Sequence, residues 1–362
     1  MVSERLARMT QRTWAALVAV PLFVVLGLYV AVTGLPFVTY APGPTVNVLG
    51  ENGGKPIIDV QGHPAYRDDG QLRMTTVSVT QRDATLDLFT LMRTWVSRDD
   101  AVYPFFAQYG TSGNQQQDAQ EGQVEMVTSQ DAAVAAALTQ LHIPIHPAIE
   151  IVSVTDGMPA DGKLQVRDVL RKVGDTEITP TSDVAKLISA VPAGSSVPIT
   201  VERDGKPVTV QLTPVTKDGH TLVGITLQTS YTFPFKVAVN ISDSIGGPSA
   251  GLMFAMSIYD TLTPGSLTDG QVVAGTGTIT ADGKVGQIGG IQQKIAGARQ
   301  DGAKLFLVPP SNCADALGGD NGSMRLVKAP TLAKAVKEVR AWAADHNAPL
   351  PSCEPATQEA SP

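Results

Sequence analysis

The sequence predicts an α+β protein in three parts: a membrane-spanning helix, a β-rich middle module and a C-terminal domain of alternating strands and helices. Three observations carry that reading. Residues 13–50 hold no Asp, Glu, Lys, Arg or His. Short alternating runs broken by Asp-Gly turns fill the middle of the chain. Two glycine clusters, Gly246-Gly-Pro-Ser-Ala-Gly251 and Gly286-Gln-Ile-Gly-Gly-Ile-Gln-Gln-Lys294, punctuate its last third. The 362 residues, 43% hydrophobic and 17% charged, give room for about two or three domains with real cores. A net charge of −7 without a basic stripe argues against nucleic-acid binding. The apolar content excludes general disorder. Two cysteines without ligand spacing exclude both a disulfide scaffold and a zinc ribbon.

The first element is the run Trp14 to Val32. Nineteen apolar residues at 1.5 Å rise reach about 28 Å, close to a hydrocarbon core of about 30 Å. Nothing amphipathic interrupts it, and Pro21 near its start is tolerated in a membrane helix. Arg5, Arg8 and Arg12 precede the run, and no base follows until Lys55. By the positive-inside rule residues 1–12 are cytoplasmic, 13–35 span the cell membrane once, and the rest is extracytoplasmic. The run is longer than a signal-peptide core, and Thr33-Gly34-Leu35-Pro36 is a poor cleavage site, so it reads as an uncleaved anchor. Export leaves two states open for Cys313 and Cys353: a disulfide or two thiols.

Residues 36–125 read as an exported α/β region packing on the C-terminal domain. Tyr40-Ala-Pro-Gly-Pro44 forms a rigid exit, and Thr45–Leu49, Ile57–Val60 and Leu72–Thr80 are strand-like. Asp83 is expected to cap an amphipathic helix carrying Leu86, Leu88, Phe89, Leu91, Met92, Trp95 and Val96, its apolar face packed on the core rather than lying on a membrane surface. Residues 110–123, polar and Gln-rich, are expected to be a mobile loop, and Ser129 to cap a helix from Gln130 to Leu141.

Residues 126–218 form the middle module with its leading helix. Asp204-Gly205 between two alternating runs signals a hairpin. Pro159, Ala160, Leu164, Asp168, Val169, Leu170 and Gly174 resemble the middle of a PDZ domain. Arg167 stands where that family usually has Gly, and no glycine-containing carboxylate loop precedes Ile149. The resemblance implies capture of an extended peptide at a sheet edge; a β-rich spacer is the plainer alternative.

Residues 225–345 hold the chemistry. Phe235–Ile241 and Val272–Ile279 read as strands, Ser249–Leu262 as a buried helix, Asp282-Gly283 as a hairpin and Ile291 to Gln300 as a second helix. Lys304–Val308 is a buried strand and Leu332–Trp342 a final amphipathic helix, with 346–362 a flexible tail. Gly247-Pro-Ser-Ala-Gly251 fits the G-x-S-x-G nucleophile elbow. Its context does not, because Ser242-Asp243-Ser244 separates strand from motif and His346 lies in a polar tail. A serine nucleophile then needs another base. A lysine whose ammonium is disfavoured by burial meets that need. Lys294, flanked by Ile291, Ile295 and Ala298, suits it, whereas Lys284 lies in a solvated hairpin. Backbone N–H groups at the start of the Ser249 helix suit an oxyanion. Taken singly, Ser249 is also a plausible helix cap and Lys294 a plausible surface lysine.

The ordered set Pro248-Ser249-Ala250-Gly251, Thr276-Gly277 and Ile288-Gly289-Gly290-Ile291-Gln292-Gln293-Lys294 resembles the proteolytic domain of the Lon proteases. With the anchor and the PDZ-like module, the chain is similar to bacterial membrane-bound Lon-like PDZ proteases. The resemblance implies a ribosomal-protein-S5-like α/β fold, a Ser249–Lys294 dyad, orientation of Lys294 by Thr276, and assembly into a homo-oligomer. Gly247 and Ala250 are the other expected oxyanion residues. Gly246 replaces a common Asp of that family, and Thr278 a common Glu. No G-x-x-x-x-G-K-[ST] loop occurs, so neither nucleotide nor cofactor is implied, and no metal. The expected function is an ATP-independent serine endopeptidase for exported or membrane-proximal protein substrates; the rival is a non-catalytic scaffold binding partner tails.

Overall fold

The computed structural model describes residues 11–353, apart from 193, 218, 243 and 244. Arg5, Arg8, Asp243, Ser244 and residues 354–362 therefore lie outside the described residues. The first helix, α1, is Gln11–Val32, and the remaining described chain buries none of its apolar window Thr13–Val30. It is long and apolar enough to cross a membrane.

The chain then runs through β1 (Phe37–Asn47), β2 (Ile58–Gln61), β3 (Gln71–Val79), α2 (Leu88–Val96), β4 (Ala101–Pro104), α3 (Phe105–Tyr109) and α4 (Gln115–Gln140). The middle module has β5 (His146–Val154), β6 (Val169–Val173), α5 (Val184–Ser189), β7 (Val197–Arg203), β8 (Lys206–Leu212) and β9 (Ile225–Thr232). After β10 (Lys236–Val239) come α6 (Gly251–Thr261), β11 (Val272–Gly275), β12 (Thr278–Ile279), β13 (Val285–Gly286) and α7 (Ile291–Gln300). β14 (Leu305–Val308), α8 (Cys313–Ala316), β15 (Arg325–Lys328) and α9 (Leu332–Ala344) follow.

The main sheet has the order β15-β14-β11-β3-β1-β4. Its first four strands are parallel neighbours, and β1 and β4 add antiparallel at one edge. Strand periodicity sorts its residues into two layers. Leu305 and Leu307 pack with α4, α6 and α9, whereas Phe306 and Val308 pack with α7 and α8. β1 and β3 lie inside this sheet, so residues 36–125 are built into the C-terminal fold rather than packed on it. The Tyr40–Pro44 exit is itself part of β1, bulged between Pro42 and Thr45. A Cβ on Gly43 would lie 2.3 Å from the Thr76 hydroxyl, so only glycine fits there. The middle module is a separate sheet, β8-β7-β6-β5-β9, over its own core of Ile151, Leu170, Ile199, Val201 and Leu212. Asp204 and Gly205 make its hairpin turn with φ of 49° and 74°.

Five expectations change. The Gln-rich stretch is helical from Gln115, because Asn114 and Gln117 form a reciprocal capping box and Gln is a good helix former. Ser129 consequently lies within α4 and caps nothing. The helix expected after Asp83 starts at Leu88 under Asp87, whose carboxylate accepts from Thr90 N–H at 2.9 Å. Only Leu91 and Thr94 of α2 are buried, while Phe89, Trp95 and Val96 are 73%, 81% and 77% exposed, so its apolar face does not pack on the core. Residues 346–353, placed in the flexible tail by sequence, are pinned. The Arg325 guanidinium donates to the His346 and Ala348 carbonyls, Lys328 N–H donates to the Pro351 carbonyl, and Cys353 is bridged to Cys313.

That disulfide spans a sequence separation of 40, and both cysteines are buried. A closed loop of this length restricts the unfolded chain, so Cys353→Ser should cost about 2–4 kcal/mol in equilibrium unfolding without reductant, and the difference should largely vanish once the wild-type bridge is reduced. An unchanged unfolding midpoint would show that the bridge contributes nothing.

Candidate active site

Every residue of α6 is buried, which fixes the helix start against the sheet. The Pro248-Ser249-Ala250 turn that precedes it is held from three sides. Gly277 N–H and the Thr276 hydroxyl donate to the Ser249 carbonyl at 2.8 and 3.0 Å. The Ser129 hydroxyl of α4 donates to the Pro248 carbonyl at 2.9 Å, and Gly247 N–H donates to the Gly122 carbonyl at 3.1 Å. Packing is close enough to require glycine at 251, where a Cβ would stand 2.9 Å from Ile279 Cγ2 and 3.0 Å from Ser129 Oγ.

From the other layer α7 begins after Gly290, which sits in the left-handed region at φ 66°. Ile291, Ile295 and Ala298 bury one face of α7, and Lys294 enters the protein beside them. Its Nζ donates to Ser249 Oγ at 2.7 Å and to Thr276 Oγ1 at 3.1 Å. Lys294 is 3% exposed and Thr276 fully buried. Burial alone lowers the Lys294 ammonium to about 7, near-neutral under physiological conditions. Lys284, by contrast, pairs with Asp282 in the exposed hairpin. His346 packs edge-on against Trp342 and does not line the cleft. No group of three metal-ligating side chains occurs among the described residues.

Ser249 and Lys294 open into a cleft of about 970 Å³. One wall is Ile245–Ala250 and the other is Thr75–Val79 of β3, with Met74 and Met126 between them. β11 pairs with β3 only as far as Met74. From Thr76 to Val79 the β3 edge facing the cleft has no strand partner among the described residues.

Of the expected oxyanion donors, Gly247 is corrected: its N–H is taken by the Gly122 carbonyl because α4 crosses there. Gly251 and Leu252 N–H are also engaged, by the Pro248 and Gly277 carbonyls. The Ser249 and Ala250 N–H groups have no backbone acceptor among the described residues. Sequence reasoning missed α4's part in the site. Gly122 within a polar helix was the available signal, since glycine there is unfavourable unless another backbone comes close. Its neighbour is Gly246, where a Cβ would meet Gly122 backbone atoms at 3.4 Å.

Residues 242–318 match the Lon protease (S16) C-terminal proteolytic domain, and residues 123–213 match the PDZ domain. A PDZ domain and a Lon-type proteolytic domain share this chain. Lon protease 1 of Herpetosiphon aurantiacus is 42% identical over 69 residues, 19% of this chain and 8% of that protein. Lon protease of Mesomycoplasma hyopneumoniae is 41% identical over 66 residues, 18% of this chain and 7% of that protein. The chain thus spans under a tenth of the length of these relatives. The PDZ domain of an SdrC-like protein from Listeria monocytogenes is 22% identical, covering 22% of this chain and 86% of that one, with a TM-score of 0.21. The Lon-type match supports a peptidase.

The PDZ domain meets the Lon-type domain through α4. Arg167 adopts φ 73°, which explains the family preference for glycine there. Its guanidinium donates to Gln130 Oε1 at 2.7 Å and to the Asp131 carboxylate, and lies 3.8 Å from Glu150. Asp131 and Glu150 are both buried, and burial followed by the nearby Asp131 charge raises Glu150 to about 7. Beside this junction a second cleft of about 750 Å³ runs between α4, β5 and the residues Val239, Ile241, Ser242 and Ile245; Met126 and Ile245 line both clefts.

Removing the Ser129 hydroxyl tests the role of α4. Ser129→Ala leaves the Pro248 carbonyl without that donor, at a cost of about 1–2 kcal/mol. We expect kcat to fall about tenfold with KM little changed, since the turn carrying Ser249 loosens while the cleft walls remain. Unaltered kcat would assign Ser129 to packing alone.

Proposed function

We propose that the chain is an ATP-independent serine endopeptidase, anchored by α1, with Ser249 as nucleophile and Lys294 as general base and then acid. The observation that carries this reading is the 2.7 Å contact between Lys294 Nζ and Ser249 Oγ, at a buried amine with no carboxylate partner among the described residues. A neutral Lys294 takes the hydroxyl proton as Ser249 Oγ attacks a peptide carbonyl. The Ser249 and Ala250 N–H groups receive the oxyanion. Lys294 then passes its proton to the leaving amine, and water hydrolyses the ester with Lys294 again as base. Thr276 fixes the amine between two hydroxyls.

The open edge Thr76–Val79 supports substrate bound as an added strand, which requires an extended, unfolded segment. That fits an enzyme whose sequence carries no nucleotide-binding loop. The basic residues before α1 support an extracytoplasmic catalytic domain, and a buried disulfide fits an oxidising compartment. The PDZ domain would recruit or gate substrates. The test is degradation of unfolded casein by the purified full-length protein in detergent. Cleavage by wild type and none by Ser249→Ala is expected; equal cleavage by both would overturn Ser249 as the nucleophile, and none by either would favour a PDZ scaffold.

A further inference from the structure

The apolar face of α2 lacks a protein partner, and its position says what covers it. At 100° per residue, Trp95, Leu88, Met92, Val96 and Phe89 fall side by side on an arc of about 120°. Four of them, Phe89, Met92, Trp95 and Val96, are 55–81% exposed, while Leu91 and Thr94 hold the helix to the protein from the adjoining arc. This face lies where α1 ends. Leu35, three residues past α1, bridges to Leu86 just before α2, and α2 packs beside α1. The same level carries further exposed apolar groups. Phe37 pairs with Pro104, and Phe105 N–H donates to the Pro36 carbonyl, which brings the 68% exposed Phe106 alongside. Arg93 and Thr90 complete the polar side of α2 and are exposed. An amphipathic helix with Trp and Phe on one side and Arg on the other, fixed at the end of a membrane-spanning helix, suits the bilayer interface.

We infer that α2, with Phe106 of α3, lies in the outer interface of the phospholipid bilayer as a second membrane contact. It rests on the reading of α1 as a membrane anchor and adds orientation to it. One helix leaves a domain free to swivel, whereas two contacts tied through Leu35–Leu86 fix the β1 end of the sheet at the lipid surface. The covering of this face by lipid, rather than by a second copy of the chain, follows from its continuity with α1, none of whose window Thr13–Val30 is buried by the protein.

The experiment uses the full-length protein in phosphatidylcholine vesicles whose acyl chains are brominated near the headgroup. Trp14→Phe leaves Trp95 as the exposed reporter, with Trp342 buried as a constant background. Trp95→Phe instead reports Trp14 on α1. Strong quenching of Trp95, lost in a Met92→Asp/Val96→Asp variant that keeps its melting temperature and its Trp14 quenching, is the expected result. Quenching of Trp14 without Trp95 overturns this proposal alone. Absence of both overturns the anchor reading as well. Trp95 shielded from lipid but crosslinked to a second copy through Trp95→Cys would assign the face to an oligomer and also overturn it.

Discussion

Replacing Lys294 with Met should abolish peptide cleavage and, at neutral pH, make the protein more stable. The loss of activity follows from the role proposed for the amine: without a base the Ser249 hydroxyl keeps its proton, a deficit of at least about 10³-fold. The gain in stability follows from burial. Folding depresses the Lys294 ammonium from the ordinary lysine value of 10.5 to about 7. Between those values the unfolded chain holds more protons, so stability rises with pH across the window, and the burial penalty is complete below about 7. Met fills the same space without a charge to desolvate. We expect Lys294→Met to gain about 1–4 kcal/mol at pH 7, allowing for the hydrogen bonds to Ser249 and Thr276 that are lost, and nothing above pH about 10. The pH–rate profile of wild type has the matching sign. kcat/KM should climb as one group deprotonates near 7 and then level off. Chemical unfolding of both proteins across this range, beside the rate profile, checks the argument. Cleavage surviving in Lys294→Met, or a rate independent of pH from about 6 to 9, would sink the dyad.

The Ser249–Lys294 contact was legible because its supports are local. Gly290 is demanded by its own left-handed backbone and Gly251 by close contact with Ile279 and Ser129, so glycines mark the two turns that carry Ser249 and Lys294. The sheet around them was not legible to the same degree. Gln71 pairs with Val272, about two hundred residues away, and no local signal encodes such a register. The Gln-rich start of α4 shows composition misleading where a specific pattern was present: Asn114 and Gln117 form the cap. In α2 the helical period was correct, but periodicity reports only that a face is apolar, not what lies against it. Arg167 is the reverse case. The sequence marked it as a departure, and only the structure shows the left-handed backbone and the carboxylates it serves.

Arg167→Gly should therefore destabilise the protein even though it relieves the backbone. An L-residue at φ 73° costs about 1–2 kcal/mol that glycine avoids. Against this stands the state left behind. Asp131 and Glu150 are 3% and 4% exposed, and Asp131 Oδ2 has no hydrogen-bond partner among the described residues even with Arg167 present. Arg167 itself is 44% exposed, so its attraction to them is partly screened, and the cost comes from stranding buried carboxylates rather than from a strong pair. We expect a net loss of about 2–4 kcal/mol in urea unfolding at pH about 8. The loss should shrink in acid. Glu150 in the folded state titrates near 7 against an ordinary 4.5, so folding takes up a proton between those values, and its contribution to stability fades as pH rises through them. At pH about 5 a protonated Glu150 no longer needs the guanidinium, and the deficit should be at most half as large. In an Asp131→Asn/Glu150→Gln background the sign should invert, with Arg167→Gly neutral or stabilising by up to about 1 kcal/mol because only the backbone term survives. An equal loss at both pH values and in both backgrounds would mean that Arg167 serves the junction by packing alone. Because α4 carries Asp131 toward the PDZ domain and Ser129 toward Pro248, the inverted background also separates that junction from the turn holding Ser249.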